Sequence, residues 1–433
     1  MPFTEDQILA LAPDEASKKS GKDLANPSKW VSKGANEQVL WGEAQGSGSK
    51  PYQTQIDLQQ IAFKCSCPSR KFPCKHGLGL MLFYSRQQKD FTSRDAPLWV
   101  TDWLSKRTEK DEKKVSREEK PVDKAAQAKR QQARQQKISD GIAELRLWLK
   151  DIIRNGILNI PDKGFGYFEN MAKRMVDAQA PGLANMIRGA GDCNFYSEGW
   201  QSAFMDQLAA IYLVIEGYTN KAHLNEPAQQ DIKTWIGFTQ SQEELKVQAG
   251  ITDTWLVLSK QSIEVDTITT ERNWLYGTQS NKYALVLQFI VSGQGGQLTF
   301  TPGMFVQAEL AFYPSIAPLR AIVKTQTATN SAAHFTVFQN WQQVTETETQ
   351  LCAEMPVRNE RPFIIQQLIP VQFNNQWWLQ DEDKKMMQLK NEHKSIWKLL
   401  ALSGGEAMNM AVIGKEDKYE PVGVWYKNEY KTL

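Results

Sequence analysis

Helical periodicity at the start, strand alternation around residue 55, helical periodicity again from residue 138 and short branched runs after residue 250 divide this 433-residue chain into unlike parts. Ile8 to Leu11 and the stretch from Pro13 to Leu24 predict short helices, after which Gly34, Gly42, Gly46 and Gly48 punctuate strands. Tyr52, Thr54, Ile56 and Leu58 alternate with polar residues, so this segment buries one face and is expected to pair with a strand through Phe63, Cys65 and Cys67. Pro68 ends that second strand, and the apolar run from Leu78 to Tyr84 predicts a helix opening at His76. Ile142, Leu145, Leu149, Ile152 and Ile153 then recur at helical spacing, and Trp200 to Gly217 supplies a strongly apolar helix. Trp255 to Leu258, Tyr283 to Val291, Val306 to Tyr313 and Arg320 to Val323 are branched and aromatic runs separated by Gly and Pro, which predicts strands. Phe373-Asn-Asn-Gln-Trp-Trp378 reads as a hairpin, and a helix from Ser395 to Leu402 is stopped by Gly404 and Gly405. No internal repeat shows in the sequence.

Composition turns these elements into domains. A hydrophobic content of 41% with 10% aromatics and fourteen Trp is enough to bury real cores, and the length fits two to four domains. No stretch approaches the roughly twenty apolar residues of a membrane helix, Leu208 to Ile215 being far too short. With no secretory signal in view, a soluble, cytoplasmic protein that does not engage a membrane is expected.

Charge is unevenly spread around a net +2. Residues 1–104 carry thirteen Lys/Arg against eleven Asp/Glu, residues 105–137 twelve against six, and the remainder nets −6. Residues 105–137 read as a solvated linker or a spacer helix, with a nucleic-acid-contacting arm as the sharper alternative. Between Lys64 and Lys75, by contrast, four cations stand with no acid.

That basic stretch carries the chemistry. Cys65, Cys67, Cys74 and His76 gather three thiols and an imidazole within twelve residues, a full tetrahedral ligand set for one structural zinc ion. On a strand, Cys65 and Cys67 would project from one face, an arrangement poor for a mutual disulfide. A helix N-terminus near Cys74 favours thiolate, and Lys64, Arg70, Lys71 and Lys75 offset the net negative charge of three thiolates around a dication. Four protein ligands leave no open position, so the metal is expected to be structural. The remaining thiols, Cys193 and Cys352, read as buried small hydrophobes.

Cys-x-Cys followed by Cys-x-His resembles the SWIM zinc finger. The stretch from Trp41-Gly42-Glu43 through Gly46-Ser47-Gly48 and Pro51-Tyr52 to His76 is similar to bacterial SWIM zinc finger family proteins. Trp274-Leu-Tyr-Gly277, Tyr313-Pro314, Pro318-Leu-Arg320 and Leu402-Ser-Gly-Gly405 resemble the family's long C-terminal region. The resemblance implies a ββα zinc fold and a role in binding DNA or protein. It also implies gene-cluster partners of the MoxR-type AAA ATPase and von Willebrand factor A domain classes.

The expected fold is therefore α+β and multidomain. Residues 1–104 form an N-terminal domain with the ββα zinc module at about 50–90 on a short sheet. A charged linker or spacer helix (105–137), a helical domain (138–240) and a β-rich domain (241–433) follow.

Catalytic motifs are lacking: there is no phosphate loop, no HExxH and no nucleophile elbow, and Gly293-Gln-Gly-Gly296 reads as a hairpin turn. His223, His334 and His393 stand apart from acidic or thiol partners, so a non-enzyme is expected. Trp377 and Trp378 invite base stacking, but neighbours on a strand face opposite ways, so one is core and one surface, and Asp381, Glu382 and Asp383 oppose phosphate. Two functions remain. The first is a protein-interaction adaptor built on the zinc finger. The second is a sequence-unspecific DNA- or RNA-binding protein that contacts phosphate through Lys64, Arg70, Lys71 and Lys75 while its C-terminal domains recruit partners.

Overall fold

In the computed structural model the described residues are 5–46, 50–58, 62–69, 71, 73–91, 95–115, 124–265, 268–291, 300–329, 336–355, 357, 359–390, 392–415, 417–427 and 429–433. Helices α1 (Glu5–Ala10) and α2 (Glu15–Leu24) lead into an antiparallel meander of β1 (Trp30–Ala35), β2 (Val39–Ala44), β3 (Tyr52–Asp57) and β4 (Ala62–Cys65). Helix α3 (Lys75–Arg86) covers one face of this sheet: Leu78, Leu80, Met81, Leu82 and Phe83 lose all exposure in the same core as Ile8, Trp30, Leu40 and Ile56. Helix α4 (Leu98–Val115) covers the other, placing Val100 and Trp103 against Val39, Trp41 and Ala62. The sheet is thus buried on both faces, which is why β2 reads as a nearly continuous buried run rather than an alternation.

Helix α5 (Lys124–Asn155) begins the helical region. Residues 105–137 accordingly fall on the end of α4, on a stretch outside the described residues, and on the first half of α5. Its periodic positions Ile138, Ile142, Leu145, Leu149 and Ile152 join a core built with α6 (Phe165–Asp177), α7 (Pro181–Gly191), α8 (Trp200–Thr219) and α9 (Glu226–Ile236). No helix among the described residues is long and apolar enough to cross a membrane.

After α10 (Gln242–Val247) the chain becomes β-rich. Strands β5 (Ile251–Val265), β6 (Ile268–Gly277), β7 (Tyr283–Val291), β8 (Phe305–Phe312) and β9 (Arg320–Thr329) close into a barrel in the order β5-β6-β7-β9-β8, with β7 and β9 parallel. Trp255, Val257, Leu275, Val286, Val306 and Leu310 fill it. Helix α11 (Trp341–Glu354) then precedes β10 (Arg361–Phe373), β11 (Gln376–Gln380) and β12 (Met386–Leu389). Helix α12 (Glu392–Ser403), β13 (Met408–Lys415), β14 (Lys418–Tyr426) and the added β15 (Glu429–Thr432) complete the chain. The β10–β11 hairpin turns through Asn374 and Asn375, whose φ angles of 50° and 60° are the left-handed pair a two-residue turn needs. Gly404 and Gly405, at φ 63° and 89°, stop α12.

The pairings of β10 to β14 also close a ring. β10 pairs with β11 and β13, β11 with β12, β13 with β14, and β12 returns to β14 in parallel. Numbered within each unit, both rings run 1-2-3-5-4, with strand 3 parallel to strand 5. The sequence shows no repeat because the two rings share topology and not residues. Cys193 and Cys352 are half-buried rather than buried. Gly293-Gln-Gly-Gly296 and His334 lie outside the described residues, as does the His393 side chain, and His223 is exposed.

Candidate metal centre

The ligand atoms of Cys65, Cys67, Cys74 and His76 all lie within 4.8 Å of one another. Cys65 closes β4, whereas the strand ends there and Cys67 sits in the following turn, so the two thiols converge through the turn rather than along one strand face. Pro68, lacking an amide hydrogen, suits that exit. Cys74 occupies the N-cap of α3 at φ −73°, ψ 164°, and His76 lies in the first turn, one residue inside the helix that sequence periodicity starts at His76.

Three features complete the pocket. The register pairs Thr54 with Cys65, and Thr54 Oγ1 stands 3.2 Å from the Cys65 sulfur. The Tyr52 ring packs 5.1 Å from the His76 imidazole. Gly77 leaves room for Phe63, whose ring a Cβ at that position would meet at 2.8 Å. Tyr52 and Thr54 were legible only as an alternating strand. Their service to the metal follows from the β3–β4 register, which a sequence does not state.

Donor chemistry and spacing fit zinc. A tetrahedral ion with metal–sulfur bonds near 2.3 Å sets ligand-to-ligand edges of about 3.5–3.8 Å, and Cys65 Sγ lies 3.8 Å from His76 Nδ1. Cys74 and His76 are buried at 7% and 5% exposure, while Cys65 and Cys67 are half-buried. Without the ion these groups compete for protons. Hydrogen bonding from Cys65 and Cys74 drives the Cys67 thiol far down, and hydrogen bonding with Cys65 and Cys67, with burial, drives Cys74 far up. Burial alone would pull His76 down, but hydrogen bonds with Cys65 and Cys67 outweigh it and hold the imidazole at about 9. The amides of Ser69 and Gly77 point at Cys67 and Cys74, the backbone second layer that favours thiolate ligands. With four protein ligands the site takes one structural zinc ion and leaves it no position for substrate.

The basic residues near the centre are placed separately. Lys64 projects from the face of β4 opposite to Cys65, Lys75 is exposed on the first turn of α3, and Lys71 is paired with Asp14 at 2.6 Å. Arg70 lies outside the described residues.

Residues 52–85 match the family model of the SWIM zinc finger, and residues 133–236 match the SWIM-associated four-helix bundle domain. The chain contains a SWIM zinc finger and a SWIM-associated four-helix bundle domain. The SWIM finger match runs from β3 through α3, and the SWIM-associated bundle match spans most of α5 and all of α6 to α9. No curated protein matches. Among solved structures, a chain described as "Structural mimicry for functional antagonism" aligns over 40% of this chain and 88% of its own, at 10% identity. Its TM-score of 0.20 is too low to carry an argument.

Proposed function

We propose that this SWIM protein is a non-enzymatic adaptor whose zinc finger fixes a rigid N-terminal platform and whose helical bundle docks a partner protein. One observation carries this. Helix α8 carries apolar side chains on both faces: Phe204, Leu208, Ile211, Val214 and Ile215 fill the bundle, while Met205, Ala209, Tyr212 and Leu213 face outward at helical spacing beside Ser202, Asp206 and the Arg146-paired Glu216. Tyr212 and Leu213 remain 36% and 46% exposed. A helix with large apolar side chains on its outer face gains stability when that face is covered.

The partner classes implied by family resemblance, a MoxR-type AAA ATPase or a von Willebrand factor A domain protein, are the first to test. The zinc-loaded chain is mixed with each purified protein and followed by light scattering after size-exclusion chromatography. A complex at micromolar concentration that the double substitution Tyr212→Ala, Leu213→Ala abolishes supports docking on α8. A complex indifferent to that substitution, or no complex with either class, sinks it.

The alternative, phosphate contact through the finger loop, draws on Lys64 and Lys75, both exposed. It is weakened by the commitment of Lys71 to Asp14.

A further inference from the structure

The two C-terminal rings share an unusual topology: five strands in the order 1-2-3-5-4, closed, with only the 3–5 pair parallel. In the second ring α12 runs between strands 3 and 4, and Ile396 and Leu399 join the barrel interior. This is the Greek-key arrangement of OB-type barrels, whose strand 2–3 face takes oligonucleotides or oligosaccharides. Shared topology supplies only a place to look.

In the first barrel that face is consumed. Trp274 and Tyr276 on strand 2 and Tyr283 and Leu285 on strand 3 pack with Ile364, Ala411, Ile413 and Val422 of the second barrel, and Trp274 has no exposure left. In the second barrel no such apolar packing covers the corresponding face among the described residues. Leu379 and Trp377 point into the core, so Trp378 points out and is half-buried. Its indole nitrogen donates to Phe373 O at 3.3 Å, which steadies the ring beside Phe373, itself 53% exposed.

Ladder registers extend a row from Trp378 across the sheet. Val371 pairs with Trp378, Trp378 with Gln388, Gln388 with Lys418, and Lys418 with Lys415. Paired residues share a face, and strands are about 4.8 Å apart. An aromatic ring, an amide and two cations therefore follow one another at strand spacing, with Trp378 and Lys418 about 10 Å apart.

Two electrostatic objections weaken, although Glu382 and Asp417 remain exposed. Of the three acids after β11, Asp381 is 1% exposed and accepts from the Trp341 and Lys385 amides, and Asp383 accepts from the Asn340 side chain. Both are directed toward the start of α11. The acidic balance lies upstream as well: residues 361–433 hold ten Lys/Arg against nine Asp/Glu, while residues 138–360 hold sixteen against twenty-three.

We propose that the outer face of the second barrel, centred on Trp378, binds single-stranded nucleic acid, stacking a base on the indole with Gln388 at its edge and Lys418 and Lys415 at phosphate. The cationic end of the row favours this polyanion over a neutral oligosaccharide. The site is separate from both the zinc finger and α8.

Fluorescence anisotropy of the full zinc-loaded chain with labelled dT and rU oligomers, beside a duplex of equal length, tests it. Binding is expected to prefer single strands. It should weaken about tenfold or more in Trp378→Ala, survive in Trp378→Phe, and be unaffected by Trp397→Ala, which removes an exposed indole on α12. Lys418→Gln should lower the slope of log affinity against log salt by about one. Equal affinity of Trp378→Ala and the parent chain would overturn the proposal. So would binding lost only on neutralising Lys64 and Lys75 of the finger, or a Trp378-dependent affinity for neutral oligosaccharides with none for nucleic acid.

Discussion

Asp14 and Lys71 meet at 2.6 Å across the seam between the start of α2 and the finger loop. The same carboxylate caps α2 by accepting from the Ser17 amide at 2.7 Å. One side chain thus closes a helix and tethers the loop between two zinc ligands.

Hydrogen bonding from Lys71, then from Ser17, lowers Asp14 to about 2. A carboxyl whose folded value lies below its unfolded value near 3.9 contributes stability that is present above that unfolded value and is lost as pH falls through about 2. Asp14→Asn should keep the cap, lose the tether, and flatten the acid dependence of unfolding between about pH 4 and pH 2. Asp14→Ala should also speed hydrogen exchange at Ser17. Identical acid unfolding curves for the parent and Asp14→Asn chains would show that the pair does not matter.

Zinc affinity should fall steeply with acid. His76 near 9 in the metal-free site is protonated at neutral pH, and the ion needs it neutral and the thiols ionised. Loading therefore displaces protons, and each one displaced weakens apparent affinity about tenfold per pH unit. Competition with a chromophoric chelator between about pH 6 and 8 checks this, and a flat profile would refute it. Cys74→Ser or chelation should strip hydrogen-exchange protection from β3, β4 and the first turn of α3 while the two barrels keep theirs.

The metal ligands were legible in sequence because chemistry and spacing lie within twelve residues. The long helices and the Asn374–Asn375 hairpin were legible because periodicity and left-handed turn residues act locally. What lay beyond reach was non-local. The turn position of Cys67, the Asp14–Lys71 tether and the closure of β12 onto β14 all depend on partners many residues away. Averaging charge from residue 138 onward likewise merged an acidic stretch with a nearly neutral barrel, and setting Asp381, Glu382 and Asp383 together against phosphate missed the inward turn of Asp381.

Two glycines should respond to alanine with opposite signs. Helices α2 and α3 cross at Gly79, where a Cβ would meet the Leu24 Cβ at 2.5 Å and the Gly21 carbonyl at 3.2 Å. Neither neighbour is the end of a flexible side chain, so Gly79→Ala should cost about 1–3 kcal/mol. Gly189, inside α7, has nothing within 4 Å, and Gly189→Ala should stabilise by up to about 1 kcal/mol through helix propensity. Chemical denaturation of both variants decides. Destabilisation of similar size at both positions would mean that the α2–α3 approach is not the cause.

Asp253, 1% exposed, closes one end of the first barrel. Its carboxylate accepts from the Ser280 amide at 2.8 Å, the Ser280 hydroxyl at 2.6 Å, the Gln279 amide at 3.1 Å and the Thr254 amide at 2.6 Å. These bonds fix the turn from β6 to β7, and a Cβ on Gly277 would meet the same carboxylate at 2.5 Å. Asp253→Ala leaves several donors without an acceptor in a sheltered site and should cost about 2–4 kcal/mol. Asp253→Asn replaces one acceptor oxygen with a donor facing other donors and should recover only part of that loss. Barrel unfolding followed by near-ultraviolet circular dichroism of the buried Trp255 and Trp274 reads the effect. Full stability in Asp253→Ala would show that backbone pairing alone holds the turn.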